Sequence, residues 1–156
     1  MRLTILAVGT KMPDWVTEGV NEYGKRLPRE WQLQWVEVPL AKRNKDSQAA
    51  QLRQLEGESI LKLLPRGDRL VALAVDGKRQ STEQLAATLS DWQMSGDNYS
   101  LVIGGPDGLS PEVLARADRR WSLSDLTLPH PLVRILLAEQ LYRAWTITVN
   151  HPYHRP

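Results

Sequence analysis

The chain has no cysteine, which excludes disulfide frameworks, thiolate zinc sites and cysteine nucleophiles together. It also lacks a long apolar run. No stretch approaches the roughly 18 uncharged apolar residues of a membrane span. The apolar opening Leu3 to Val8 is too short for a signal peptide, and Lys11, Pro13 and Asp14 follow where a cleavage site would sit. A cytoplasmic protein with no membrane partner is expected. Charge of one sign is barely in excess: 20 Lys and Arg against 18 Asp and Glu leave a formal +2. That is far from the strongly basic signature of a dedicated nucleic-acid binder.

Several catalytic signatures are missing as well. No Gly-x-Gly-x-x-Gly follows the first apolar run, and no glycine loop ends in Lys-Ser or Lys-Thr, which argues against dehydrogenases, nucleotide triphosphatases and Rossmann-type methyltransferases. No Gly-x-Ser-x-Gly elbow marks an α/β hydrolase. There is no internal repeat or low-complexity tract, and the loop from Ala41 to Asp46 is the one segment that reads as floppy.

What is present is an ordinary folding composition, 42% apolar and 24% charged over 156 residues. Residues 1–156 read as a single domain. Apolar, β-branched runs at Leu3 to Val8, Leu33 to Val38, Leu70 to Val75 and Tyr99 to Ile103, with a shorter one near Trp121 to Leu123, predict strands. Helix signals alternate with them. Pro13 suits a first helical position, Asp46 precedes a long amphipathic stretch, Ser81-Thr82-Glu83-Gln84 has capping-box spacing, and Ser110-Pro111 offers a cap followed by proline. Strand and helix in alternation predict an α/β fold: one doubly wound, mostly parallel sheet with helices on both faces.

The last predicted helix, about Pro131 to Val149, is apolar over most of its circumference, so it is either sunk in the core or buried on two sides, by its own sheet and by a partner. Full enclosure of a terminal helix is hard in so small a domain, which favours a dimer interface. Within it, Glu139 and Arg143 have the spacing of a helical ion pair, and Arg134 is a cation on an apolar helix that needs a partner. Between Lys25 and Lys45 six basic residues face two acidic ones, which fits a solvated face or an RNA footprint.

Ligands of parallel sheets bind beyond the carboxyl ends of strands, so the loops there hold the candidate chemistry. Gly104-Gly105-Pro106-Asp107-Gly108 follows the fourth strand directly, either as a tight turn or as backbone left bare for a ligand. Leu123 to Pro131 carries two prolines and would present fixed backbone groups able to read an adenine edge. The tail, Asn150-His151-Pro152-Tyr153-His154-Arg155-Pro156, crowds an aromatic and a cation that suit base stacking and phosphate. Its two histidines lack a third ligand, so no metal is expected.

Taken together these segments resemble the SPOUT-class enzymes that methylate N3 of a pseudouridine in large-subunit (23S) ribosomal RNA, the RlmH or YbeA family. The resemblance runs from end to end and is carried by Val8-Gly9-Thr10-Lys11-Met12-Pro13-Asp14-Trp15-Val16, by Ile103-Gly104-Gly105-Pro106-Asp107-Gly108-Leu109-Ser110, and by the block from Leu123 to Arg155. It implies a C-terminal trefoil knot that forms a pocket for S-adenosyl-L-methionine, with cofactor contacts from Leu73, Gly105, Ser124, Asp125, Leu126, Thr127, Leu128 and Pro129. It implies a homodimer in which the tail of one subunit completes the other's site, and an assembled ribosome as substrate. Tyr153 and His154 are then the candidates for base contact and proton handling. Arg155 and Arg143 would neutralise phosphate or the charge growing on the imide. A noncatalytic RNA- or ribosome-binding module on the same fold is the alternative.

Overall fold

In the computed structural model, which describes residues 1–156, each apolar run read as a strand is one. β1 (Leu3–Val8) and β4 (Tyr99–Ile103) have the expected bounds; β2 (Gln34–Val38) and β5 (Arg119–Ser122) differ from theirs at the ends. All pair in parallel, in the order β2-β1-β4-β3-β5. Central β1 and β4 are buried at every position, the situation in which a strand carries a nearly unbroken apolar run. Alternate side chains feed two cores. Leu3, Ile5 and Ala7 join Leu85, Leu89, Leu137 and Leu141 on one face, while Leu6 and Val8 join Ile60 and Val113 on the other.

β3 is longer than expected, running from Arg69 to Arg79, and its pairing with β5 jumps from Leu73 opposite Trp121 to Lys78 opposite Trp121. The residues between, Ala74 to Gly77, bow away from the ladder. Gly77 permits this return, because a Cβ there would lie 2.7 Å from the Trp121 backbone.

Five helices cover the sheet: α1 (Asp14–Gly24), α2 (Ala49–Leu63), α3 (Thr82–Ser95), α4 (Pro111–Arg116) and α5 (His130–Thr148). α5 packs between α1 and α3 on one face, and α2 packs with α4 on the other. The capping box at Ser81 and Gln84 forms, and Ser110 caps α4 with Pro111 in its first turn. Two start signals read differently. Pro13 is the residue before α1 and not its first residue, and α2 begins after Gln48 with no side-chain cap. Asp46 is used instead in a turn, where its N–H donates to Asn44 Oδ1.

α5 is sunk in the core along Leu137, Ala138, Leu141 and Ala144, yet Leu132 and Leu136 on its outer side are 42% and 39% exposed. Trp15 at the start of α1 is 52% exposed. The helix thus has one face in its own domain and a second apolar face open.

Candidate active site

Beyond the carboxyl ends of β3, β4 and β5 three loops enclose a cavity of about 560 Å³, within the range of small-molecule sites. Leu73 to Asp76 form one wall, Ile103 to Leu109 the second, and Trp121 to Ser124 with Leu126 to His130 the third. Leu114 and Val133 add apolar surface, and Arg53, Asp76 and Asp107 are the charged side chains at its margin.

The glycine loop serves as turn and wall at once. Gly108 N–H donates to Gly105 O at 3.0 Å, closing a tight turn with Gly108 at φ +81°. At Gly105 a Cβ would lie 3.0 Å from both Val8 Cγ1 and Glu56 Oε1, so any side chain there presses on the strand and helix side chains behind the wall. The turn is held from outside. Arg43 donates to Asp107 Oδ2 at 2.7 Å and to buried Glu56 Oε2 at 3.2 Å, and Glu56 Oε2 also accepts the Ala41 N–H. The loop from Ala41 to Asp46, expected to be floppy, is therefore a strap across the back of the glycine turn.

The third wall is fixed by a pair at the start of α5. Arg134, 5% exposed, donates to Gly9 O at 2.9 Å, to Glu37 Oε2 at 3.0 Å and through Nε to His130 Nε2 at 2.7 Å. Accepting that bond leaves His130 Nε2 without a proton, so Nδ1 carries it and donates to Gly104 O at 3.1 Å. Burial, and secondly the Arg134 charge, push the His130 pKa down, which keeps the imidazole neutral in this role. One cation thereby ties α5 to the ends of β1, β2 and β4, and supplies the partner that its sequence position demanded.

The tail folds back against the other end of α5. Tyr153 packs on Tyr142 with ring centroids 4.7 Å apart and lies under the Arg143 guanidinium at 4.7 Å. Glu139 Oε1 accepts from Arg143 Nε at 2.7 Å and from the Tyr153 hydroxyl at 3.3 Å. Burial, then the Glu139 charge, raise the Tyr153 pKa, so the phenol keeps its proton. His154 Nε2 lies 3.1 Å from Glu83 Oε1, and its Nδ1 is buried without a partner. These groups, with Arg155, line a second and more open hollow that shares no residue with the first. No group of three or more His, Asp or Glu stands where it could hold a metal ion.

Of the residues expected at the cofactor, Leu73, Gly105, Ser124, Leu126, Thr127, Leu128 and Pro129 line the first cavity. Asp125 does not, and bonds outward to Arg79 at 2.9 Å. Tyr153, His154, Arg155 and Arg143 gather in the second hollow. Sequence reasoning gave His130 and Asp107 no role of their own, although both lie in the loops it singled out, and missed Arg53 and the bowed segment Ala74 to Asp76. A histidine ending a proline-rich loop at a helix start was the one signal that could have flagged His130.

A fold with loops gathered in this way has relatives. The solved structure of a probable methylase family protein from Haemophilus influenzae Rd KW20 superposes with a TM-score of 0.53 at 15% identity, over 97% of this chain and 67% of that one, a likeness of fold. Proteins named Ribosomal RNA large subunit methyltransferase H are much closer in sequence. The one from Marinomonas sp. (strain MWYL1) is 55% identical over 99% of this chain and 100% of its own length. Those from Chromohalobacter salexigens and Hahella chejuensis are each 57% identical over 99% of this chain, and over 100% and 99% of their own lengths. The family described as "Predicted SPOUT methyltransferase" matches residues 1–154, nearly the whole of the strand, loop and tail arrangement above, and the chain belongs to the SPOUT methyltransferase family.

Proposed function

We propose that this chain transfers a methyl group from S-adenosyl-L-methionine to N3 of a pseudouridine in large-subunit ribosomal RNA, acting on assembled ribosomes in the cytoplasm, as a homodimer of single-domain subunits comprising residues 1–156. The observation that carries the reading is the cavity beyond β3, β4 and β5: about 560 Å³, with apolar side chains, the glycine turn and the loop before α5 in its walls. An adenosine with a methionine tail suits such walls, because flat apolar surface takes the base and fixed peptide groups read its edge. The missing Cβ of Gly105 faces Val8 and Glu56 behind the wall, so glycine there lets the turn lie close against the sheet and leaves the cavity in front of it open. Leu73, Gly105, Ser124, Leu126, Thr127, Leu128 and Pro129 would hold it, while Asp125, outside the lining, ties the third wall to Arg79.

When bound, that cofactor supplies an electrophilic methyl on a sulfonium. What the chain must add is orientation of N3 and an outlet for the N3 proton. Tyr153 with its raised pKa is a stacking surface and hydrogen-bond donor and not a base. Arg143 and Arg155 place positive charge where the imide oxygens gain negative charge as N3 loses its proton. His154 faces the same hollow and is the group best suited to pass a proton on.

Within one subunit the tail hollow and the cofactor cavity lie along different stretches of α5, which is why a dimer is part of the reading. Pairing through Leu132, Leu136 and Trp15 would cover the open apolar face and bring one subunit's tail to its partner's cavity. The C-terminal trefoil knot belongs to the same reading. The segment 123–129 leaves β5 at the sheet edge and delivers His130 to Gly104 and Arg134 to Gly9, past the bowed end of β3.

The test is transfer of labelled methyl to ribosomes that lack the modification, beside ribosomes whose target uridine was never isomerised. Label on N3, much reduced in the second sample, is the expected result. Absence of transfer to any ribosomal particle while cofactor still binds would overturn the substrate.

A further inference from the structure

On the far side of Trp121 from the cofactor cavity lies another cavity of about 350 Å³, between α3 and the edge of the sheet. Trp121 is a wall of both. Lys78, Arg119 and Arg120 surround this second space, Thr88 and Trp92 close it from α3, and no carboxylate lines it. The cations are mounted on paired strand backbone, with Arg119 opposite Val71, Arg120 opposite Ala72 and Lys78 opposite Trp121. Most arginines of this chain have a carboxylate partner. Here only Arg120 does, reaching Asp76 at 3.4 Å, while Lys78 and Arg119 have none.

We propose that Lys78 and Arg119 hold backbone phosphates of the RNA strand that delivers the target nucleotide, so that this cavity is a phosphate-binding station that shares the Trp121 wall with the methyl-transfer site. The inference rests on the reading of the chain as an RNA methyltransferase. Lys78 and Arg119, two cations at one cavity without a carboxylate partner, repel each other and need anions, whereas Arg120 next along the strand turns to the other face and to Asp76. A concave seat on rigid strands suits a phosphodiester better than a mobile acidic side chain, and Arg119 presents a planar fork for phosphate oxygens. The tryptophan faces do not compete for bases, because Trp92 is stacked on Tyr99 and both indoles are buried. Recognition at this point is therefore of backbone charge and carries no sequence preference. It also explains how a chain with a net charge of only +2 engages RNA: the positive charge is placed and not abundant.

The experiment compares the unsubstituted chain with Lys78→Gln/Arg119→Gln, and with Lys62→Gln/Arg66→Gln, which removes the same charge from exposed positions at and just beyond the end of α2. Three quantities are measured: KM for large subunits in methyl transfer, cofactor Kd, and the salt dependence of binding to protein-free large-subunit RNA by filter retention. The expected result for the cavity variant is a KM raised on the order of tenfold, cofactor Kd and saturated kcat unchanged, and a log–log salt slope reduced by about 1.5 to 2 for two lost phosphate contacts. The α2 variant changes each much less.

Unchanged KM and slope in the cavity variant, above all with new self-association, would overturn the proposal and make these cations guards of the exposed β5 edge. Weaker binding to intact subunits with unchanged binding to protein-free RNA would also overturn it, in favour of docking on a ribosomal protein. Because RNA binding is read without chemistry, a failure of the unsubstituted chain to transfer methyl would count against the functional reading and leave the phosphate assignment to the salt slope.

Discussion

The two ends of α5 serve different surfaces, and they differ in how completely their polar groups are satisfied. At the N-terminal end, Arg134 spends its donors on Gly9, Glu37 and His130, His130 spends its proton on Gly104, and the cavity walls behind them are locked. At the C-terminal end, Glu139 is shared between Arg143 and a long bond from Tyr153, His154 keeps a buried nitrogen without a partner, and Arg155 is exposed with no ion pair. The first surface is preorganised within one chain. The second is a set of charges and rings with capacity left over, which is the expected condition of a surface whose partners arrive with substrate.

The largest break in that comparison is Gly105→Val. Its Cβ meets Val8 and Glu56, so either the strap or the turn must move into the cavity. Calorimetry should find cofactor affinity down at least about a hundredfold, some 2.7 kcal/mol, with the fold retained by circular dichroism. Unchanged affinity in a folded variant would remove the glycine wall from the cofactor site.

Mixing sharpens the same contrast. Gly105→Val subunits lack a cavity and Tyr153→Ala/Arg155→Ala subunits lack a tail, and each homodimer should be inactive. After random reassociation, mixed dimers carry one intact composite site, and methyl transfer should return to about a quarter of the unsubstituted level. No recovery from subunits confirmed to have exchanged would place cavity and tail of one site in the same chain.

Arg134→Met asks what the locked end is worth to the fold. It strips Gly9 O and His130 Nε2 of a charged donor and leaves Glu37, half out in solvent, less affected. A loss of about 3 kcal/mol in urea unfolding is expected, in the range for breaking a largely buried charged network from one side. A loss below 1 kcal/mol, on the order of a surface ion pair, would mean the network contributes orientation only.

Much of this was legible in the sequence, for reasons specific to each element. β1 and β4 sit in the middle of a parallel sheet, so burial on both faces wrote itself as apolar runs with sharp ends. The capping box of α3 and the Ser110-Pro111 start of α4 are local, and local signals survive folding. The start of α2 was hidden because Asn44, Asp46 and Ser47 bond to one another and leave no cap for the helix. The tail of β3 was hidden because Asp76-Gly77-Lys78-Arg79 is polar, and becomes strand only through its partner β5. In the site, glycines and prolines announced the walls. The bonds that fix them join Arg43 to Asp107 and Arg134 to Gly9, between residues 64 and 125 positions apart, and no short window contains both ends.

His130→Asn gives a smaller effect, read as pH dependence. The folded chain holds the imidazole pKa below its ordinary value, through burial first and Arg134 second. Above about pH 6.5 neither folded nor unfolded chain protonates it, and it costs no stability. As pH falls through that value the unfolded chain takes a proton that the folded chain refuses, so stability drops with falling pH until the folded pKa is reached. Urea midpoints between pH 7 and 5 should fall less steeply in His130→Asn than in the unsubstituted chain. Equal slopes would mean that the neutral tautomer bridging Arg134 and Gly104 is not what the fold selects.

The smallest expected effect is at Tyr153, and it separates stacking from proton transfer. A phenol whose pKa is raised by burial and by Glu139 stays protonated across the working range, so its oxygen cannot be the acceptor of the N3 proton there. Tyr153→Phe keeps the ring against Tyr142 and under Arg143 and loses only the long bond to Glu139. kcat/KM should fall no more than about fivefold, or about 1 kcal/mol, the worth of one ordinary hydrogen bond, and the pH–rate profile should keep its shape. Tyr153→Ala should cost considerably more, because Arg143 then loses the surface that holds its guanidinium. A Phe variant whose profile loses or shifts a limb would instead make the hydroxyl a proton carrier, and the unfilled bonding capacity at this end of α5 would then belong to the chemistry rather than to the grip on the base.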